Sequence, residues 1–131
     1  MNYAFTGCVM FGIGTDIVEI KRIKKILTLY PNKFPVKILG DAELGLFNSR
    51  PKKVEFIAGR FAAKEAILKA LGTGLRNCSW ADITIINDDL GKPQVSLSGN
   101  LMTMAKANAI KQVHISISHG VEFAVAFCII E

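Results

Sequence analysis

Apolar residues recur along this chain with two different periods, and the change of period separates helices from strands. Residues 9–16, VMFGIGTD, predict a strand that ends in a Gly-Thr-Asp turn. Residues 17–30 carry apolar side chains at three- and four-residue steps, which predicts a helix, and Pro31 and Pro35 are expected to end it. The chain therefore begins with a strand followed directly by an amphipathic helix.

The longest helical pattern lies in the middle of the chain. It runs from about Val54 to Leu71 and stops at Gly72, a residue that commonly ends helices. Before it, Asp41 is predicted to cap a shorter helix that runs to about Phe47.

The second half of the chain is mostly strand-like. Strands are predicted over residues 81–88, 94–99, 113–119 and 122–130, with a helix over residues 99–109. Gly120 is the expected hairpin turn between the last two strands. Because helices and antiparallel strands do not alternate regularly, the predicted fold class is α+β.

Composition adds limits on class and location. The 131 residues fit a single domain spanning 1–131, with 50% hydrophobic and 21% charged residues. No apolar run reaches the roughly 20 residues of a membrane helix. Three cysteines, Cys8, Cys78 and Cys128, without a CxxC pair argue against a disulfide framework or a structural zinc site. We therefore expect a cytoplasmic protein with no membrane partner.

The formal net charge of +5 predicts an anionic partner. The excess basic residues are clustered at Lys21, Arg22, Lys24, Lys25, Lys33, Lys37, Arg50, Lys52 and Lys53. Nucleic acid, membrane, nucleotide and acidic protein all fit this charge, as does an ordinary solvated surface. A nucleic-acid-binding module is the less favoured alternative, because the chain has no RRM, KH or helix-turn-helix signature.

Polar and large apolar residues are interleaved on the long predicted helix. Arg60, Lys64 and Glu65 fall within an arc of about 140°, and the opposite side carries small residues. Arg60 and Lys64 are one turn apart, so their positive charges repel each other mildly. An anion bound between them would relieve that repulsion. The pattern predicts one of two arrangements. Either these residues form a phosphate-binding edge beside a carboxylate, or their long aliphatic stems cover apolar surface while their charged ends reach water.

Two other positions could carry chemistry. Asp16 would either cap the next helix or join Glu65 in offering hard oxygen ligands for Mg²⁺. Ser116, Ser118 and His119 lie on one predicted strand, but the chain has no GxSxG nucleophile elbow, and a lone histidine at a strand end is more often a hydrogen-bonding residue.

Four segments together resemble one family. They are GIGTDIVEIKRI at 12–23, FIAGRFAAKEAILKALGTG at 56–74, DDLGKPQVSLSG at 88–99 and ISISHG at 115–120. In order and spacing they are similar to the holo-acyl-carrier-protein synthases, and the resemblance spans residues 10–131. A transferase of the same superfamily that serves a polyketide or peptide carrier is a further alternative.

The resemblance implies a fold, a reaction and an assembly. The fold would be the 4′-phosphopantetheinyl transferase fold, an antiparallel sheet with a long central helix. Such proteins form homotrimers with active sites between neighbouring subunits. The enzyme would use Mg²⁺ to transfer 4′-phosphopantetheine from coenzyme A to a serine of apo acyl carrier protein, releasing adenosine 3′,5′-bisphosphate, for fatty acid biosynthesis.

The resemblance also implies a role for each matching residue. Asp16 and Glu65 match the Mg²⁺ ligands, and Lys64 matches the lysine beside the pyrophosphate. On chemical grounds, Lys64 could neutralise the leaving bisphosphate, and Glu65 or a metal-bound water is the candidate base for the carrier serine. The positions matched to coenzyme A binding are Arg60, Lys64, Gly91, Pro93, Ser118 and His119. The helix that docks the carrier protein carries Arg22, Lys24 and Lys25.

The chain departs from the family pattern at two places. Gly120 stands where a polar or acidic residue is more common, which affects the local turn. Residues 1–9 precede the usual start near Met10 and are predicted to be a dispensable extension.

Overall fold

The computed structural model of this protein describes residues 10–131. The predicted extension at residues 1–9, with Cys8, lies outside the described residues. The elements, in chain order, are β1 (Gly12–Glu19), α1 (Ile20–Leu29), α2 (Lys33–Ile38), α3 (Asp41–Ser49), α4 (Lys53–Leu71), a 3₁₀ turn (Trp80–Asp82), β2 (Ile83–Asn87), β3 (Pro93–Leu97), α5 (Gly99–Ala107), β4 (Val113–His119) and β5 (Phe123–Ile130).

The strands form two antiparallel sheets. One has three strands in the order β1-β5-β4, and the other is the β2-β3 hairpin. In the larger sheet, Asp16 is paired with Ala126 of β5. The β4-β5 hairpin turns at Gly120, whose backbone N–H donates to the carbonyl oxygen of Phe123 at 2.9 Å. The predicted α+β class and this hairpin are confirmed.

The long helix α4 lies at the centre of the molecule and packs across all three strands of the larger sheet. Its alanines are buried, and Ala66 and Ala70 lie against β1. A Cβ atom at Gly12 would lie 2.0 Å from the carbonyl oxygen of Ala70, and one at Gly14 would lie 2.0 Å from that of Ala66. Only glycine permits such a close approach, so these two positions set the distance between β1 and α4.

The predicted turn at Gly-Thr-Asp is wrong. Strand β1 continues past Asp16 to Glu19, and α1 begins only at Ile20. β-branched residues suit a strand, and pairing with β5 holds this one through Glu19, opposite Phe123. Asp16 is consequently a strand residue whose side chain faces α4, and it does not cap a helix.

Two predictions for the segment after α1 are also corrected. Pro35 does not end a helix but lies in the first turn of α2, where a proline costs no hydrogen bond. Asp41 is the first residue of α3 and makes no capping bond. Glu43 takes that role, because its Oε1 accepts the backbone N–H of Gly40 at 3.2 Å.

The two faces of the larger sheet differ in exposure. Side chains toward α4 are buried, whereas the face away from it exposes large apolar residues. We call this second surface the outer sheet face; its most exposed apolar side chains are Ile13, Ile17, Phe123, Val125 and Phe127. Among residues 10–131, no helix is long and apolar enough to cross a bilayer.

Candidate functional site

A cleft of about 650 Å³ opens beside the N-terminal half of α4. It lies between that helix, strand β4 and the β2-β3 hairpin. Four predicted coenzyme A contacts line it, namely Arg60, Gly91, Pro93 and His119. Arg50, Lys52 and Lys92 line it as well, so the cleft is basic and suited to an anionic ligand.

Arg60 is the most constrained cation of this cleft. Its guanidinium lies 4.7 Å from the centre of the Phe56 ring, and its Nη2 is 3.4 Å from Oδ1 of Asn87. Behind it, Oε2 of Glu43 lies 3.9 Å from Nε. Burial lowers the pKa of Arg60, and the Glu43 carboxylate opposes that shift.

Asp16, Glu65 and Lys69 form a second cluster, which we call the carboxylate group. Nζ of Lys69 donates to Oδ1 of Asp16 at 2.9 Å and to the carbonyl oxygen of Thr15 at 3.1 Å. Burial raises the pKa of Glu65, the charge of Asp16 raises it further, and Lys69 lowers it. The fold thus brings the two predicted metal ligands close enough to repel each other.

The carboxylate group can receive a small hard cation. No cluster of three or more His, Cys, Asp or Glu side chains suited to a metal ion occurs among residues 10–131. Proteins nevertheless commonly bind Mg²⁺ through only one or two carboxylates, because the ion keeps several waters and takes substrate phosphate oxygens as its further ligands. A cation between Asp16 and Glu65 would also relieve the repulsion that raises the pKa of Glu65.

The ammonium of Lys64 reaches neither the cleft nor the carboxylate group. Its side chain is fully buried, and its ammonium donates to Oε1 of Glu43 at 2.6 Å and to the carbonyl oxygens of Ile38 and Trp80 at 2.7 and 3.2 Å. Burial lowers its pKa, and Glu43 opposes that shift. All three ammonium hydrogens are therefore donated inside the protein, and none is left for a phosphate.

The remaining predicted site residues are exposed. Ser118 lies on the outer sheet face and does not line the cleft. Arg22, Lys24 and Lys25 project into solvent from α1. None of the three residues of the carboxylate group lines the cleft. Within one chain, the basic cleft and the carboxylates are thus separate.

Residues 12–128 match the family model of the 4′-phosphopantetheinyl transferase superfamily. The chain belongs to this superfamily. It is 50% identical to a holo-[acyl-carrier-protein] synthase of Clostridium novyi, over 93% of this chain and 88% of that protein.

The fold also resembles those of solved holo-[acyl-carrier-protein] synthase structures. The holo-[acyl-carrier-protein] synthase of Neisseria meningitidis matches with a TM-score of 0.89 and 39% identity, over 94% of this chain and 99% of that one. That of Bacillus anthracis, solved in complex with CoA (3′,5′-ADP), matches with a TM-score of 0.78 and 42% identity, over 95% and 98%. The recognised family and its fold are therefore confirmed.

Two polar residues of this candidate site were not predicted. Lys69 stands four residues after Glu65, one helical turn away, and that spacing was a usable signal. Glu43 had no such signal, because it lies in α3 and reaches Lys64 and Arg60 only through the tertiary fold.

Proposed function

We propose that this transferase moves 4′-phosphopantetheine from coenzyme A to a serine of apo acyl carrier protein, releasing adenosine 3′,5′-bisphosphate. The observation that carries the proposal is the pairing of a basic cleft with a carboxylate group in a chain that matches holo-[acyl-carrier-protein] synthases over nearly its whole length. The cleft would take the nucleotide end of coenzyme A, with Arg60, Gly91, Pro93 and His119 among its contacts. The product would serve fatty acid biosynthesis.

Asp16 and Glu65 would hold Mg²⁺. When bound, the ion would neutralise phosphate charge, which is the main requirement of phosphoryl transfer. Lys69, whose ammonium already lies beside Asp16, would orient the pyrophosphate and stabilise charge on the leaving group. We assign this part to Lys69 because the ammonium of Lys64, the lysine predicted for it, is enclosed by three acceptors.

The serine of the carrier needs a proton acceptor. The raised pKa of Glu65 would suit a base, but a carboxylate that binds a metal ion is a poor one. We therefore propose that Glu65 would hold the ion, and that a water molecule of the site would accept the proton instead.

We also propose that the transferase is a homotrimer. The outer sheet face exposes five large apolar side chains, an arrangement that favours burial against another subunit. Ser118 lies on this face and does not line the cleft of its own chain. In a trimer it would reach the cleft of a neighbouring subunit. Assembly would likewise join the cleft of one chain to the carboxylate group of the next.

The basic helix α1 would dock the carrier protein. Arg22, Lys24 and Lys25 are exposed together on it, and acyl carrier protein is the acidic partner that this charge would attract. We propose no nucleic acid or membrane partner. The free thiols of Cys78 and Cys128 fit a reducing, cytoplasmic location.

Mass spectrometry of a carrier protein tests the reaction. The protein would be mixed with apo acyl carrier protein, coenzyme A and MgCl₂, and a parallel sample would contain EDTA. We expect the carrier to gain one phosphopantetheine in the first sample only. Asp16→Asn should abolish the gain, whereas Asp41→Asn, the same charge change on the surface of α3, should not. A carrier of unchanged mass with the wild-type protein would refute the proposal.

A further inference from the structure

Glu43 is a carboxylate with no access to solvent, and the reaction proposed above gives it no task. Its Oε1 accepts from the Lys64 ammonium at 2.6 Å and from the Gly40 N–H at 3.2 Å, and its Oε2 accepts from the Ile85 N–H at 3.2 Å. A fully buried charge is costly unless it is paired and hydrogen-bonded, and this one is both. The bonds tie α3, α4 and β2 to one carboxylate.

The same carboxylate stands behind Arg60. Nε of Arg60 is buried without a hydrogen-bond partner among the described residues, and Oε2 of Glu43 lies 3.9 Å from it. Asn87 holds the guanidinium at a second side, and the Phe56 ring covers one face. Phe56 and Asn87 line the cleft together with Arg60, so these contacts hold the guanidinium at the cleft wall.

The two cations share Glu43 unequally. Lys64 makes the short hydrogen bond at 2.6 Å, while Arg60 stays at 3.9 Å, beyond hydrogen-bonding distance. The three side chains together carry one net positive charge, and the lysine neutralises most of the carboxylate. The positive charge of Arg60 therefore remains available to an anion in the cleft.

We propose that Glu43, neutralised by Lys64, is a positioning residue that fixes the guanidinium of Arg60 for the phosphate-bearing end of coenzyme A. The proposal rests on the proposed function, which places that end of coenzyme A in the cleft. Glu43 acts through Arg60 and does not touch the substrate. Lys64 accordingly supports substrate binding from inside the protein.

The sign of the effect of Glu43→Gln on coenzyme A affinity tests the proposal. Removing a negative charge near an anion site would, by electrostatics alone, tighten binding. Loss of positioning acts in the opposite direction. We expect the dissociation constant of coenzyme A, measured by titration calorimetry, to rise about tenfold, with kcat at saturating coenzyme A nearly unchanged. Asp41→Asn, which removes a surface charge two residues away, should leave the dissociation constant unchanged.

A double-mutant cycle separates positioning from general damage. Glu43→Gln would be combined with Arg60→Ala, which removes the guanidinium that is being positioned. If Glu43 acts through Arg60, its tenfold penalty disappears in the Arg60→Ala background. Independent, multiplying penalties would overturn the proposal, as would tighter binding by Glu43→Gln.

A second variant covers the case in which Glu43→Gln does not fold because Lys64 is left unpaired. Glu43→Gln combined with Lys64→Met removes both charges of the buried pair, a change that proteins often tolerate. Its loss of affinity should also vanish in the Arg60→Ala background, and persistence there would overturn the proposal. Failure of the proposed function is recognised separately, because the wild-type protein would then neither bind coenzyme A nor modify the carrier.

Discussion

The polar side chains of α4 differ in how well their surroundings could be predicted from the sequence. Helical spacing predicted Arg60 and Glu65 on one arc of α4, and in the structure Arg60 lies near Asn87 and Glu65 near Asp16. The same spacing put Lys64 beside them, yet its ammonium is buried. Helical periodicity gives the direction of a Cβ atom, whereas the end of a long lysine goes where its acceptors are. Those acceptors come from Ile38, Glu43 and Trp80, which no local pattern connects to α4.

Glu65 allows a test of the carboxylate group without any substrate. Its raised pKa means that the folded chain binds a proton there more readily than the unfolded chain does. This contribution favours folding at low pH and is lost as the pH rises through the folded pKa. In EDTA at pH 8, Glu65→Gln should therefore raise the melting temperature, by about 2 °C.

The advantage of Glu65→Gln should vanish near pH 3.5, below the ordinary carboxyl pKa of about 4.3, because Glu65 is then protonated in both states. Thermal unfolding at a fixed protein concentration measures both conditions. A lower melting temperature for the variant at pH 8 would contradict the assigned repulsion and mean that Glu65 stabilises the fold.

At the scale of elements, most helices and strands followed from local patterns, and the errors lie where tertiary contacts override them. Strand β1 continues beyond the predicted turn because β5 pairs with it up to Glu19. The helix α2 was missed because Pro35 normally signals an end, although the first turn of a helix accepts it. The close packing of β1 on α4 was not predicted either, since it depends on which residues face Gly12 and Gly14.

Gly14→Ala tests that close packing. The new methyl group would lie 2.0 Å from a backbone oxygen of Ala66, so β1 must move away from α4. We expect a loss of about 3 kcal/mol or more in the free energy of unfolding, measured by urea denaturation. Gly45→Ala is the matched control, because nothing lies within 4 Å of its Cβ and α3 should gain about 0.5–1 kcal/mol. Equal stability of the two variants would mean that β1 is not held by this contact.

The end of α5 offers a stabilising substitution. Ala109 adopts φ 54°, and the N–H groups of Ala109 and Ile110 bond to the carbonyls of Lys106 and Ala105, which is a Schellman motif with alanine in the position of glycine. Ala109→Gly should therefore add about 0.5–1 kcal/mol to the free energy of unfolding. Ala107→Gly, at the last residue of α5 where the backbone is still helical, should instead lose up to about 1 kcal/mol. Urea denaturation of both variants checks the difference, and a loss in each would refute the assignment.

For the whole molecule, the fold class could be predicted from the order of elements, but the separation of cleft and carboxylates could not. Arg60 and Glu65 are five residues apart on one helix, and the sequence suggested that they share one site. In the structure, the half of α4 with Arg60 lines the cleft, and the half with Glu65 faces β1. A helix can serve two surfaces because its residues point in all directions around its axis.

Ile17→Glu tests whether the outer sheet face is the subunit contact. Ile17 is 63% exposed and lies opposite Val125, so a carboxylate there would have to be buried on assembly. We expect light scattering to give a monomer mass and the carrier-modifying rate to fall at least about tenfold. Met102→Glu, on the exposed side of α5, should keep the wild-type mass and rate. A trimer that survives Ile17→Glu would exclude this face.

The separation of the cleft from the carboxylate group has a genetic consequence. If each active site combines the Arg60 of one subunit with the Glu65 of its neighbour, a chain defective in either half can be complemented by a chain defective in the other. Arg60→Ala and Glu65→Gln proteins, assayed at a coenzyme A concentration at which each alone is nearly inactive, should recover roughly a quarter of wild-type activity when they are unfolded together in equal amounts and refolded, because one site in four then receives both intact halves. Two loss-of-function alleles of this gene would in that case support growth together where neither does alone.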